Sequence, residues 1–472
     1  MARATSPRPG DPNPDPRRTA RAAPAGEPAG ARRIALEVLL RVETTDAYAN
    51  ILLDARLHAS RLDRADRALA TELVYGVLRW QGRLDWLLAP CLDRSMAALD
   101  FVVRALLRLG AYQLTCLTRI PDFAAVDETV SLARAAGAGR AAGYVNAVLR
   151  RVAREPSRIE PDPIGDPRAY WTGPGSHPSW LADRWIRRLG PAEAGGLMDC
   201  NNRVPPLTVV VNRLKSDVAG AAQALNAASP GVTPGRFVPG SFTLRGAGSP
   251  RDLPGFDEGW LVPMDEAAAL PVLALDLCDG QRVLDACAGG GGKSALIAAA
   301  VGPTGEVLAL DQSPRAIRRL SSARARLGLA SVEAKLYDAR GVSLACPGRF
   351  PRVLLDAPCS GLGTIRRRPE IKWRRRPTDL SQTAALQAEL LAGVAGAVAD
   401  GGLLVYSACS LEPEETDHVI RDFLRSHPGF SLEAPGPALQ AFADPAVEGI
   451  LRAWPHRHDT DGFFVARLRR QS

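Results

Sequence analysis

A chain of 472 residues is too long for one hydrophobic core and points to two or three domains. Its apolar fraction of 46% comes without any uninterrupted apolar run of membrane-spanning length, which argues for a soluble protein and against a membrane partner. The formal charge of +8 suits a polyanionic partner, although the surplus is almost all Arg, with Lys only at Lys215, Lys293, Lys335 and Lys372.

Residues 1–30 hold seven prolines among Ala, Gly and Arg and show no hydrophobic period, so a disordered tail is expected. A transit peptide is disfavoured by those prolines and by Asp11, Asp15 and Glu27, and a secretory signal by the missing apolar core. From 31 to 155 the pattern turns helical. Ala35, Val38, Leu39 and Val42 follow helical spacing, as do Val145, Val148, Leu149 and Val152, and 68–80, 101–109 and 126–136 are helix-like. Such periodicity would equally fit a docking or dimerisation module. The run Asp63-Arg64-Ala65-Asp66-Arg67-Ala68-Leu69-Ala70-Thr71-Glu72-Leu73-Val74-Tyr75-Gly76-Val77-Leu78-Arg79, with Val145-Asn146-Ala147-Val148-Leu149-Arg150 further on, resembles the NusB antitermination-factor domain. That resemblance implies an all-α RNA-binding fold.

The stretch 155–178 carries six prolines and marks a linker. A helical segment at 180–189, a strand at 207–212 and Gly/Pro-rich turns with short strands up to 259 make 156–270 a small α+β subdomain. From 271 to 472 strands and helices alternate. Strands are expected at 282–286, 306–311, 332–337, 353–356 and 403–406, and helices at 293–301, 313–327, 380–398 and 414–426. Alternation at these lengths predicts a parallel sheet covered by helices on both faces, a Rossmann-like α/β domain.

The first strand enters Cys287-Ala288-Gly289-Gly290-Gly291-Gly292-Lys293 and then a helix. Four glycines let backbone amides approach a ligand at the helix N-terminus. A phosphate-binding P-loop would need Gly where Cys287 stands. A dinucleotide site fits Gly290-x-Gly292-x-x-Ala295 with Asp311 about twenty residues on as the ribose acid. The same acid would serve S-adenosylmethionine, so the loop alone leaves both cofactors open.

The chemistry further along decides between them. Eight cysteines are scattered without a Cys-x-x-Cys pair, which excludes a disulfide framework and a zinc site and fits a reducing cytoplasm. Cys91, Cys116, Cys200, Cys278 and Cys346 read as small hydrophobes. Cys359 in Asp356-Ala357-Pro358-Cys359-Ser360 and Cys409 in Tyr406-Ser407-Ala408-Cys409-Ser410 differ, because each follows a strand end, where open α/β sheets place their ligands. Carbon 5 of cytosine is not nucleophilic until a thiolate adds to carbon 6. A carboxylate must then engage ring nitrogen 3 and the amino group, and a second basic group must remove the carbon 5 proton. Cys409, Asp356 and Cys359 supply that set, and from the residues alone the two thiols are interchangeable. A dehydrogenase has no use for the pair.

Asp356-Ala357-Pro358-Cys359-Ser360-Gly361, Leu404-Val405-Tyr406-Ser407-Ala408-Cys409-Ser410 and Asp461-Gly462-Phe463-Phe464 together resemble the Nol–Nop–Sun family of RNA cytosine-5 methyltransferases. With the NusB-like front, the likeness is to that family's small-subunit (16S) ribosomal RNA methyltransferase B branch. It implies a class I S-adenosylmethionine-dependent methyltransferase domain, Cys409 as nucleophile and Cys359 assisting product release. The cofactor pattern carries over to Cys287, Ala288, Gly289, Gly290, Gly291, Gly292, Lys293, Asp311, Asp338 and Asp356. The chain departs from the usual Cys-Ala-Ala-Pro-Gly-Gly-Lys at Gly289 and Gly290, and Met264 stands where Gln is common.

Arg366-Arg367-Arg368 and Arg374-Arg375-Arg376 flank Lys372 and Trp373 just past Cys359, an arrangement suited to RNA phosphates and base stacking. His456-Arg457-His458-Asp459 lacks further ligands at metal spacing and reads as a loop before a last strand at 463–468. The expected protein is a cytoplasmic, monomeric enzyme that methylates cytosine in RNA, ribosomal RNA first and transfer RNA second. An NAD enzyme and an RNA-binding scaffold with an inactive methyltransferase fold are the other classes.

Overall fold

A computed structural model describes residues 30–155, 159–229, 231–246 and 248–472, so the tail expected over 1–30 lies outside the described residues except for Gly30. The chain forms two compact units. The described residues of the first are 30–78 and 87–155, and those of the second are 79–86, 159–229, 231–246 and 248–472.

The first unit is helical. Its main helices are Ala31–Thr44, Ala49–His58, Arg64–Arg79 as far as Leu78, Phe101–Cys116, Asp122–Ala135 and Ala142–Arg154. Phe101–Cys116 is central, packing on Ala31–Thr44, Asp122–Ala135 and Ala142–Arg154 with Leu106, Leu107 and Leu109 fully buried. The spacing read from the sequence becomes the buried stripe of these helices. Ala35, Val38, Leu39 and Val42 are buried, as are Val145, Val148 and Leu149, while Val152 is half-buried. Ala49–His58 is unforeseen because Ile51 faces solvent while Leu53 and Leu57 are buried, which blurs the period. Polar pairs register the packing: Arg32 Nε donates to Gln113 Oε1 at 2.7 Å, and the Tyr112 hydroxyl donates to Glu72.

The second unit contains two sheets. The smaller is antiparallel, with β1 (Leu207–Val211), β2 (Val232–Pro234), β3 (Ser241–Leu244) and β4 (Leu261–Pro263) in the order β2-β3-β1-β4. The helix Val218–Ala228, started by the Asp217 carboxylate accepting from Gly220 N, buries Ala221 and Leu225 with Val209, Val211, Phe242 and Leu261. Asn212 Nδ2 donates to the carbonyls of Gly259 and Leu327 at 2.9 and 2.8 Å, fastening this sheet to the helix Pro314–Leu327 of the larger layer.

The larger sheet has eight strands. β5 (Arg282–Asp285), β6 (Glu306–Asp311), β7 (Val332–Leu336), β8 (Phe350–Asp356) and β9 (Val398–Ala408) run parallel. β10 (Phe430–Leu432), β11 (Ile450–Ala453) and β12 (Phe463–Arg470) add an antiparallel edge, giving β10-β12-β9-β8-β5-β6-β7 with β11 also on β12. The all-parallel expectation therefore holds for the inner strands and is corrected at that edge. β10 and β11 are too short to show a period of their own. Both faces are covered: Val283, Leu354 and Val405 point into one core, and Leu284, Val353, Leu355, Leu404 and Tyr406 into the other. The chain goes outward through β5, β6 and β7, then places β8 on the other side of β5. Open α/β sheets bind ligands at such a switch, beyond the strand C-termini.

Candidate active site

Asp356, the last residue of β8, stands in register with Ser407 of β9. Two neighbouring parallel strands thus release their chains at one height. β8 passes through Ala357 and Pro358 to Cys359, and β9 ends one residue before Cys409. The two sulfurs lie 3.2 Å apart, both half-buried. Asp356 is held from two sides: Oδ2 accepts from Lys293 Nζ at 2.6 Å and Oδ1 from Ser407 Oγ at 2.7 Å. The Lys293 ammonium also stands 5.2 Å from the centre of the Phe463 ring.

The loop after Cys359 closes tightly on the end of β9. Gly363 N donates to Cys409 O at 3.0 Å, and Gly462 N donates to Gly363 O at 2.7 Å. A Cβ on Gly363 would come 2.0 Å from the Gly462 carbonyl oxygen, so only glycine permits this approach.

The cysteine pair is electrostatically unequal. The Cys359 thiol beside Cys409 pulls the Cys409 pKa down. Burial and Asp356 oppose that fall, while Arg368 and Lys293 add to it. Cys359 moves the other way, pushed up by the same sulfur contact, by burial, by negative charge on Cys409 and by Glu415. These surroundings favour the thiolate on Cys409 over Cys359. Burial works against the Lys293 ammonium, yet Asp356 carries its pKa above the usual lysine value.

The glycine loop sits at the ends of β5 and β6. Gly291 opens the helix Gly292–Val301 in the left-handed region (φ +84), and a Cβ there would lie 2.3 Å from Leu320. Asp311 ties the loop down, its Oδ2 accepting from Gly289 N at 2.9 Å and its Oδ1 from Ser313 N at 2.8 Å. At Gly289 (φ +58) an added Cβ would meet nothing within 4 Å. Open space, a carboxylate with lone pairs to spare and a helix N-terminus fit an adenosine ligand carrying an amino acid tail. Met264 lies against the same loop, its Cε 3.0 Å from a Cβ built on Gly292. Beneath it Asp285 is fully buried, accepts from Ser294 Oγ at 2.6 Å, and is raised by burial to about 7. Burial also pushes the Cys287 thiol up, helped by Asp285, Asp311, Asp356 and Asp338. That thiol stays protonated.

The expected site residues thus meet at one rim, with Lys293 bridging the loop and the cysteines. Asp338 differs: its carboxylate is engaged by Arg340 at 2.7 Å, and it reaches the others only through its charge on Cys287.

Much of the basic run past Cys359 does not lie open to phosphates as expected, although Arg376 is exposed. Lys372 is fully buried, and its three N–H groups donate to Arg79 O, Ser176 O and Asn202 Oδ1 at 2.8, 2.7 and 2.9 Å. Arg366 is buried against Asp459 at 2.6 Å. Arg367 bonds Asp461 at 3.1 Å, Asp265 at 2.5 Å and Pro206 O at 2.8 Å, and Arg375 Nε donates to Ser360 O at 2.7 Å. These cations have acceptors inside the fold, which a count of arginines does not reveal. Arg368 keeps a part at the site through its charge on Cys409. Ser407 and Glu415 went unnoticed in the sequence, although Ser407 pairs directly opposite Asp356.

Comparison with known proteins bears on the same residues. Residues 272–469 match the family described as 16S rRNA methyltransferase RsmB/F, 29–154 match the NusB family, and 177–250 match an RsmF/B-like ferredoxin-like domain. A Bacillus subtilis (strain 168) relative, a probable ribosomal RNA small subunit methyltransferase B, is 37% identical over 448 residues, 93% of this chain and 98% of its own length. The ribosomal RNA small subunit methyltransferase B of Yersinia pseudotuberculosis (serotype O:1b, strain IP 31758) is 36% identical over 85% of this chain and 90% of its own. The crystal structure of PH0851 superposes with TM-score 0.81 at 27% identity, covering 94% of this chain and 99% of that one. The three parts of the fold are a NusB domain, a ferredoxin-like subdomain and a methyltransferase domain that uses S-adenosylmethionine. The chain belongs to the small-subunit ribosomal RNA methyltransferase B family.

Proposed function

We propose that this enzyme methylates carbon 5 of a cytosine in 16S ribosomal RNA through a transient covalent bond between Cys409 and the base. The observation that carries the reading is the 3.2 Å contact between Cys359 and Cys409 beside Asp356. S-adenosylmethionine supplies an electrophilic methyl group, and Cys287, Ala288, Gly289, Gly290, Gly291, Gly292, Lys293, Asp311, Asp338 and Asp356 are assigned to holding it. The Cys409 thiolate adds to carbon 6, and Asp356 accepts from the cytosine amino group, the pairing expected of a carboxylate and cytosine. Lys293 offsets the charge that develops on the ring. Carbon 5, now part of an enamine, takes the methyl. Once Cys409 is bonded to carbon it no longer holds the charge that keeps Cys359 protonated. Cys359 can then give up its proton to water, take the hydrogen from carbon 5 as a proton and let the C–H electron pair expel Cys409 as a thiolate.

The target base must leave its stack to reach the sulfur, at a cost of a few kcal/mol. The part played by 31–155 is RNA binding, with 156–270 holding flanking RNA and 271–472 performing the chemistry. No helix among the described residues is long and apolar enough to cross a membrane, and the reading places a monomer in the cytoplasm. The test is transfer of labelled methyl from S-adenosylmethionine to 16S ribosomal RNA, mapped by bisulfite. A single protected cytosine is expected. Label on an amino group or ribose would overturn the chemistry, and label on transfer RNA alone would overturn the substrate.

A further inference from the structure

Glu415 is fully buried, and no salt bridge reaches it among the described residues. Its carboxylate is instead spent on the loop that carries Cys359. Oε1 accepts from Ser360 N and from Thr383 Oγ1, and Oε2 accepts from Ser360 Oγ, each at 2.6 Å. The residue is itself fixed from below, its carbonyl accepting from the Tyr406 hydroxyl at 2.6 Å and its N–H donating to Glu412 O at 3.0 Å. A buried carboxyl group is costly unless hydrogen bonds satisfy it, and three donors do so here, two of them from Ser360, the residue next to Cys359.

We propose that Glu415 is a positioning residue that locks Ser360 and, through its buried charge, keeps the proton of the cysteine pair on Cys359, leaving Cys409 as the nucleophile. This rests on the two-cysteine reading above and adds to it a charge that acts on Cys359 and not on Cys409. The surroundings of the two sulfurs support it. Cys359 touches Cys409 and feels the charge of Glu415, which is bonded to the next residue, Ser360. Arg375 is directed at the Ser360 carbonyl, and the helix Pro377–Ala395 offers only neutral Thr383 and Gln387, the latter donating to Pro358 O at 2.9 Å. Cys409 feels the charges of Asp356, Arg368 and Lys293. Glu415 thus adds negative charge at Cys359 with no cation to offset it, whereas at Cys409 the charge of Asp356 is countered by Arg368 and Lys293. The Glu415 charge makes Cys359 a stronger base once Cys409 has bonded to the ring, which favours proton removal from carbon 5.

The experiment is site-resolved alkylation of the full chain with iodoacetamide across a pH series, read by mass spectrometry. In the unaltered protein Cys409 reacts first. Glu415→Gln removes the charge while keeping the shape, and should raise the Cys359-to-Cys409 labelling ratio by about tenfold. Ser360→Ala, which removes one hydrogen bond and no charge, should leave the ratio as it was. Glu415→Asp retains the charge and should keep Cys409 first even where turnover falls. An unchanged ratio in Glu415→Gln with cofactor affinity intact would overturn the proposal, as would loss of the preference in Glu415→Asp, which covers the case in which Glu415→Gln does not fold. Failure of the underlying reading looks different: a covalent RNA adduct on Cys359 in the unaltered protein.

Discussion

Cys359 and Cys409 come from different strands, are separated by fifty residues, and place their sulfurs 3.2 Å apart. At that distance one proton serves both, and the surrounding charges decide where it rests. The contact with Cys359 is the largest cause of the low Cys409 pKa. Inactivation by iodoacetamide, which needs the thiolate, should therefore rise with pH through an apparent pKa below the usual thiol value. In Cys359→Ala the main cause is gone, and that limb should move upward in pH. A limb at the same pH in both proteins would remove the shared proton from the account.

Gly363 tests how closely the site is packed. In Gly363→Ala the new Cβ meets the Gly462 carbonyl and lies 2.9 Å from Cys409 O, so the end of β9 or the loop after Cys359 must shift. A displacement of about 1 Å can cost on the order of 100-fold in rate. Affinity for S-adenosylhomocysteine, measured by calorimetry, should stay unchanged while methyl transfer falls by that factor. Full activity would show that the loop is not held as described.

Asp311 tests the cofactor loop. It accepts two backbone hydrogen bonds, from Gly289 and Ser313. Asp311→Ala removes both along with the acid, and hydrogen bonds to a charged group contribute about 1.5–3 kcal/mol. The dissociation constant for S-adenosylhomocysteine should rise by roughly 10- to 100-fold, with part of the turnover restored at saturating S-adenosylmethionine. An unchanged constant would mean the ribose is held elsewhere.

Lys372 separates a structural cation from an RNA contact. Lys372→Met takes the lysine donor from Ser176 O and Asn202 Oδ1 and leaves Arg79 O with the Ser176 hydroxyl alone. Denaturant unfolding of the full chain should show a loss on the order of 3 kcal/mol. The salt dependence of RNA binding should be unaltered, whereas a phosphate contact would lower its slope by about one.

Strand ends on a parallel sheet share one rim, which is why Asp356, Cys359 and Cys409 could be placed together from strand pattern alone. The buried stripes of Ala31–Thr44 and Ala142–Arg154 were legible for a similar reason, since one helical face repeats in the sequence. Partners far apart in the chain leave no such trace. Nothing near Lys372 announces that Arg79, Ser176 and Asn202 close around it, so a run of cations looked like an open surface. Glu415 was hidden among Glu412, Glu414 and Glu415, each of which has a different use. Glu412 takes Trp185 Nε1 at 2.8 Å, Glu414 pairs with Arg184, and only Glu415 reaches Ser360. β10 and β11 were missed because so few residues carry no period.

The account stands most directly on which sulfur bonds to the base. Cys359→Ala, incubated with S-adenosylmethionine and 16S ribosomal RNA, should accumulate an RNA–protein band that survives denaturant, because the methylated adduct has lost the thiol that releases it. Cys409→Ala should give neither band nor product. A stable adduct in Cys409→Ala, with none in Cys359→Ala, would contradict it.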